Sequence, residues 1–124
     1  MSLAGDRFSN TSAVAHVIRE GSSRLRSLPG VEAATAACCV PLQGGFGLPF
    51  IIEGRPLEGP AHGGGGFTPV SEDYFTVFRI PLLRGRDFSD RDAGGTPGVV
   101  IINEAMARRY WPEGDPLGER ITIG

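Results

Sequence analysis

The chain has 124 residues and a mass of 13.1 kDa, enough for one domain with a hydrophobic core that needs no metal or disulfide staple. Hydrophobic residues make up 40% and charged residues 21%, which excludes an intrinsically disordered chain. A net charge of −2 supplies no basic field for nucleic acid or an anionic membrane surface, and no apolar run is long enough to span a bilayer.

Met1–Leu3 reads as an expression-vector remnant. Residues 9–28 predict a helix: Ser9, Asn10, Thr11 and Ser12 offer N-caps, and Val14, Val17, Ile18, Leu25 and Leu28 keep a 3.6-residue period. Gly21 weakens its middle and Pro29-Gly30 stops it. Arg19, Arg24 and Arg26 lie off the apolar stripe, on a solvated face that could also grip an acidic partner.

Val31 to Val40 is small and apolar and predicts a buried strand. A second strand is predicted over Leu48 to Glu53, with Gly44, Gly45 and Gly47 before it and Gly54 after it. Gly63 to Gly66 reads as a flexible tip leading into an extended edge segment, Phe67 to Val70. Ser71-Glu72-Asp73 is expected to cap a second helix that carries Tyr74, Phe75 and Phe78 as a core stripe and ends at Pro81.

Leu82 to Arg84 and Val99 to Ile102 predict strands, separated by the polar, glycine-rich stretch Asp87 to Gly98. Asn103 is a good N-cap for a third helix, Glu104 to Trp111, which Pro112 terminates. Ile121-Thr122-Ile123 begins a last strand. Helices interspersed among strands predict an α+β fold, a mixed sheet covered by three helices. The abrupt stop at Gly124 reads as an excision from something longer, and extending the chain beyond it is expected to raise the melting temperature.

Catalytic chemistry is hard to assemble from these residues. All 12 basic residues are arginine, which excludes a P-loop lysine, Schiff-base chemistry and a lysine base. His16 falls beside a helix stripe, and His62 sits next to four glycines, on backbone read as too mobile to hold catalytic geometry. The Gly63–Gly66 run lacks the cation and the following helix of a phosphate cradle, so no nucleotide site is expected.

Cys38 and Cys39 are adjacent in a predicted strand, where side chains point to opposite faces, so they read as small buried hydrophobes and not as a disulfide. Asp87, Asp90 and Asp92 alternate with Arg86 and Arg91 but lack the closing glutamate of a calcium loop. No catalytic, cofactor-binding or metal-binding residue is therefore assigned, no cofactor is expected, and no enzyme is read from the chain. A cluster of His62 with Asp87 or Glu53 would revive one.

Three stretches are more specific: Leu28-Pro29-Gly30-Val31-Glu32; Tyr74-Phe75 leading to Ile80-Pro81-Leu82-Leu83-Arg84-Gly85-Arg86-Asp87-Phe88; and Val99 through Pro112, running on to Asp115-Pro116-Leu117-Gly118. In this order and spacing, over about residues 10–124, they resemble the periplasmic core domain of MacB-like ABC transporter permeases. The branch most similar is that of the large duplicated orphan permeases of acidobacteria.

The resemblance implies a partial core domain over residues 4–124, related in architecture to porter domains. It implies a place between the first two transmembrane helices, on the periplasmic side of the bacterial cytoplasmic membrane. ATP hydrolysis then belongs to a separate subunit or domain. The implied role is non-catalytic: transmitting conformational change and contacting an adaptor or cargo during export or efflux. Asn103, Tyr110, Trp111, Gly85, Gly114 and Gly118 are expected to serve as cap, buried area and turns. The rival reading is a periplasmic module binding lipid or peptide in an apolar cleft lined by Phe46, Phe50 and Phe67.

Overall fold

A computed structural model describes residues 10–43, 46–92 and 95–124. The elements run α1 (Thr11–Arg26), β1 (Phe46–Ile52), β2 (Gly63–Phe67), α2 (Tyr74–Val77), a 3-10 turn (Asp90–Asp92), α3 (Glu104–Tyr110) and β3 (Ile121–Ile123). Helices and a sheet alternate as an α+β chain. Met1–Leu3, Ser9, Gly44 and Gly45 lie outside the described residues. The chain divides into two compact units, one ending at Ala37 and resuming over Val70–Val99, the other made of Cys38–Pro69 and Val100–Gly124.

In the first unit, α1 begins where Asn10 Oδ1 accepts the Ser12 N–H, a side-chain cap on an otherwise orphan donor. Past its end, the Val31 N–H bonds to Leu28 O across Pro29 and Gly30, with Gly30 at φ +83: a type II turn that needs this residue pair. The predicted strand over Val31 to Val40 does not form. Its segment makes one isolated bridge, Ala37 to Val70, and is otherwise held by Ser71. The Ser71 hydroxyl accepts the Ala36 N–H at 2.8 Å, and the Ser71 N–H donates to Ala36 O at 2.8 Å.

That use of Ser71 explains why it does not cap α2. Asp73 occupies the cap position instead, left-handed at φ +64, with its side chain turned to Arg26. Nor does α2 last until Pro81. Arg79 takes the left-handed conformation (φ +52), its N–H bonding to Thr76 O while the Ile80 N–H reaches Phe75 O. This is a Schellman stop, built here on arginine where glycine is usual. Tyr74, 8% exposed, is the buried residue of the unit among those described, and meets Phe75 edge-on and Phe78 at a tilt. Leu82 to Arg84 and Val99 carry no strand.

The second unit holds the sheet, in the order β2-β1-β3, antiparallel in both pairings and so not mixed. β1 and β2 are joined by a loop within one hairpin. The long connection that carries α2 and α3 leads from β2 to β3, which flanks β1 on its other side and so runs parallel to β2. Phe46 pairs with Phe67 and Phe50 with Gly63 on one side, while Phe50 to Ile52 pair with Ile123 to Ile121 on the other. Pro49 falls at the end of the β1–β3 pairing: its carbonyl accepts the Gly124 N–H, and its missing N–H costs only the return bond of that last pair.

The glycine run predicted as a mobile tip is strand β2. Gly63 is required: a Cβ there would lie 2.1 Å from the Tyr110 hydroxyl. Phe50, Ile52 and Trp111 form the core, with Ile102, Met106, Tyr110, Ile121 and Ile123 packed against them. Ile102 therefore packs against the core from a segment outside any strand, not from the predicted one.

Asn103 caps α3 as expected, its Oδ1 accepting the Met106 N–H at 2.8 Å. Replacing Asn103 by alanine is expected to cost about 1 kcal/mol, checked as a lower denaturant midpoint at unchanged slope. Gly85 and Gly118 sit at φ +80 and +83, the turns expected of them, whereas Gly114 needs no positive φ.

Candidate functional site

His62 is the residue that the structure most changes. Its N–H extends the β2 ladder to Phe50 O at 3.0 Å. Its Nδ1 accepts the Ile52 N–H at 2.9 Å, so Nδ1 carries no proton, and Nε2–H donates to the Pro56 carbonyl at 2.9 Å. The imidazole thus stands in for the next rung of the sheet and pins the loop after β1. It is fixed and not mobile, and both ring nitrogens are committed to backbone, leaving neither to act as base or ligand. His16 is exposed on α1, 3.6 Å from Glu20.

The arginines of α1 separate by role. Arg19 is exposed, and Arg24 pairs with Glu20 on the same helix. Arg26 reaches Asp73 at 2.7 Å and Glu72 at 4.0 Å. The acidic group it grips is thus its own chain's, joining the end of α1 to the start of α2.

Of the alternating carboxylates, Asp92 alone is drawn into a network. Arg86 Nη1 and Nη2 fork onto its two oxygens at 2.7 and 2.6 Å, and the Ser89 N–H donates to Oδ2 at 2.8 Å. Arg86, then the Ser89 N–H, hold this carboxyl well below the usual carboxylate range, while the Arg86 guanidinium is raised in turn. A lowered folded-state value means the stability is present above the ordinary carboxylate range and is lost as pH falls through and below it. Asp92→Asn is expected to flatten the acid limb of a melting-temperature profile below about pH 4 while lowering stability at neutral pH. A variant whose acid limb parallels the parent's would contradict this.

Asp87, by contrast, bonds its own neighbour, Oδ1 accepting the Phe88 N–H at 2.7 Å. It also lines an open cleft of about 370 Å³ with Phe75, Thr76, Arg79, Ile80 and Leu82. The Schellman stop of α2 makes this cleft, since it brings Ile80 back over Phe75. Sequence reasoning missed Thr76 and Arg79 here; the one local signal was Ile80 before Pro81, a position biased away from helix. The lining is mostly apolar with one arginine and one carboxylate, and the cleft is open to solvent instead of enclosed. His62 and Glu53 belong to the other unit, where Glu53 is exposed.

The proposed lining of an apolar cleft does not gather. Phe50 is 5% exposed in the core, edge-on to Tyr110 with ring centroids 5.0 Å apart, while Phe46 is 59% exposed at the far end of β1 opposite Phe67. The cysteines are not buried hydrophobes either: both thiols are free, and Cys38 is exposed. The chain bends at Cys38 and Cys39 instead of continuing as a strand, so the alternation that would have separated their side chains is lost. Among the described residues, no three His, Cys, Asp or Glu side chains gather as a metal-binding group. No helix among them is long and apolar enough to cross a membrane.

Comparison with known proteins bears on the site as a whole. The chain is 38% identical over 54 residues to the uncharacterized ABC transporter permease YvrN of Bacillus subtilis (strain 168), covering 44% of this chain and 13% of that protein. It is 41% identical over 56 residues to the probable syringafactin export ATP-binding/permease protein SyfD of Pseudomonas syringae pv. tomato, covering 44% of this chain and 8% of that one. The probable export ATP-binding/permease protein MacB of Pseudomonas entomophila matches at 41% over 56 residues, with the same shares. The match thus spans about a tenth of these curated relatives. No solved structure matches the chain. A family profile described as MacB-like periplasmic core domain matches residues 5–124, nearly the whole sequence. The chain therefore belongs to the MacB-like periplasmic core domain family.

Proposed function

We propose that this chain is the part of an ABC-type permease exposed on the periplasmic side of the bacterial cytoplasmic membrane, where it transmits conformational change and contacts an adaptor or cargo in export. The observation that carries this reading is the family match over residues 5–124. The relatives named as export ATP-binding/permease proteins support an ATP-binding partner acting from elsewhere in the transporter. In this reading the domain is joined to its own transmembrane helices, binds no ATP or nucleic acid itself, and is non-catalytic.

Leu25 and Leu28 at the end of α1 are 50% and 52% exposed, and Leu83 is 70% exposed. Singly exposed apolar side chains are ordinary on a protein surface, however, so the contact role rests on the family match. The rival lipid- or peptide-binding reading loses its central residue, since Phe50 is spent in the core.

The test is topology in the complete open reading frame. Alkaline phosphatase fused within this segment is expected to be active and a cytoplasm-dependent fluorescent reporter dark. The opposite pattern would overturn the reading.

A further inference from the structure

Cys38 and Cys39 are held by backbone on both sides. The Cys38 N–H donates to Pro69 O at 3.2 Å, and on the other side a turn closes from the Gln43 N–H to Val40 O, with Leu42 left-handed at φ +72. Between these anchors the chain bends, and the bend turns both side chains the same way. Their Sγ atoms stand 3.0 Å apart, about 1 Å more than a disulfide bond of roughly 2.05 Å. Both are free thiols, one exposed and the other partly so, and a small reagent can reach them.

We propose that Cys38 and Cys39 are a redox-active vicinal dithiol, closed reversibly to a disulfide between neighbours by small-molecule disulfides. One cysteine thiolate attacks a sulfur of the reagent, forming a mixed disulfide and expelling one thiolate. The second cysteine loses its proton to solvent and attacks the first Sγ, closing the ring and expelling the other thiolate. Two cysteine thiols are oxidised and one disulfide is reduced to two thiols, so electrons and protons balance.

Proximity favours the second step, because the resolving sulfur is already against the first. Reversibility follows from the ring. Neighbouring Cα atoms across a trans peptide are about 3.8 Å apart, closer than the roughly 4.4–6.8 Å of ordinary disulfides. The closed form is therefore strained, and strained, exposed disulfides are the labile ones. The Cys38 thiol is raised above its ordinary value, chiefly by its hydrogen bond with Cys39, so closure is expected to accelerate as pH rises.

The test treats the reduced 124-residue chain with oxidised glutathione, quenches with acid, alkylates remaining thiols and reads the intact mass. The expected product is a monomer lighter by two hydrogens with neither thiol left to alkylate, and it reopens in excess reduced glutathione. Cys38→Ser and Cys39→Ser chains are expected to stop at one bound glutathione. The parent chain decides the matter without them. Two persisting thiols, glutathione adducts that do not close, covalent dimers, or a ring that resists reduced glutathione would each overturn the proposal.

Discussion

Truncating Trp111 to alanine is expected to cost about 3–5 kcal/mol, read as a large fall in denaturant midpoint or as failure to fold at 37 °C. Typical domains have only about 5–15 kcal/mol in total, so this one ring accounts for much of the margin. The chain's single tryptophan is 7% exposed and packs with Phe50 and Ile52 at the centre of the second unit. Arg55 lies over the ring at 4.9 Å and also donates from Nη1 to the Tyr110 carbonyl, so truncation removes one of the two contacts that hold this cation. The indole Nε1–H is buried with no acceptor among the described residues. Trp111→Phe keeps most of the apolar area and discards that unpaired donor, and is expected to lose far less than the alanine variant. A Trp111→Ala chain within 1 kcal/mol of the parent would mean that the core is not centred here.

The elements legible in the sequence were those whose signals are local. Asn10 and Asn103 cap α1 and α3 through their own side chains, two and three residues ahead, and Ile121 to Ile123 alternate as a strand should. What was missed depended on residues far away. The glycines of β2 have no pattern to read; they form a strand because β1 offers a register and Tyr110 fills the space a side chain would need. Ser71 looked like a cap and became an anchor for Ala36, thirty-five positions earlier in the chain. Val31 to Val40 and Leu82 to Arg84 have strand composition but no partner strand, and a lone apolar run cannot bond its own backbone.

The site divides in the same way. The three motif stretches carried the family resemblance, and the profile match over residues 5–124 agrees with it. The cleft beside Arg79 and the turn that brings Cys38 and Cys39 together are products of backbone conformation at single residues. Such positions carry no periodicity, and at Arg79 not even the glycine that usually marks a left-handed stop.

Gly63→Ala is expected to destabilise the chain by about 1–3 kcal/mol although it adds one methyl group and favours ordered backbone in general. The added Cβ would meet the Tyr110 hydroxyl at 2.1 Å, Tyr110 Cζ at 3.0 Å and Phe50 Cζ at 3.2 Å. Something must move, and the neighbours are constrained. Phe50 is 5% exposed, and Tyr110 is fixed edge-on to it and flanked by Arg109. Shifting Tyr110 also disturbs the end of α3, where its carbonyl accepts from Arg55.

The clash identifies its own remedy. Tyr110→Phe removes the oxygen that makes the closest contact and leaves the two longer ones, so Gly63→Ala made in that background is expected to cost distinctly less than in the parent. Denaturant midpoints of the four chains give the coupling directly, and residues in contact are expected to couple by about 0.5–3 kcal/mol. If the two changes are additive, Tyr110 does not lie on Gly63, and the reason β2 begins with glycine must be sought elsewhere. The neighbouring glycines supply the control. Gly65 and Gly66 have open space where a Cβ would stand, so alanine at either should be tolerated while alanine at Gly63 is not.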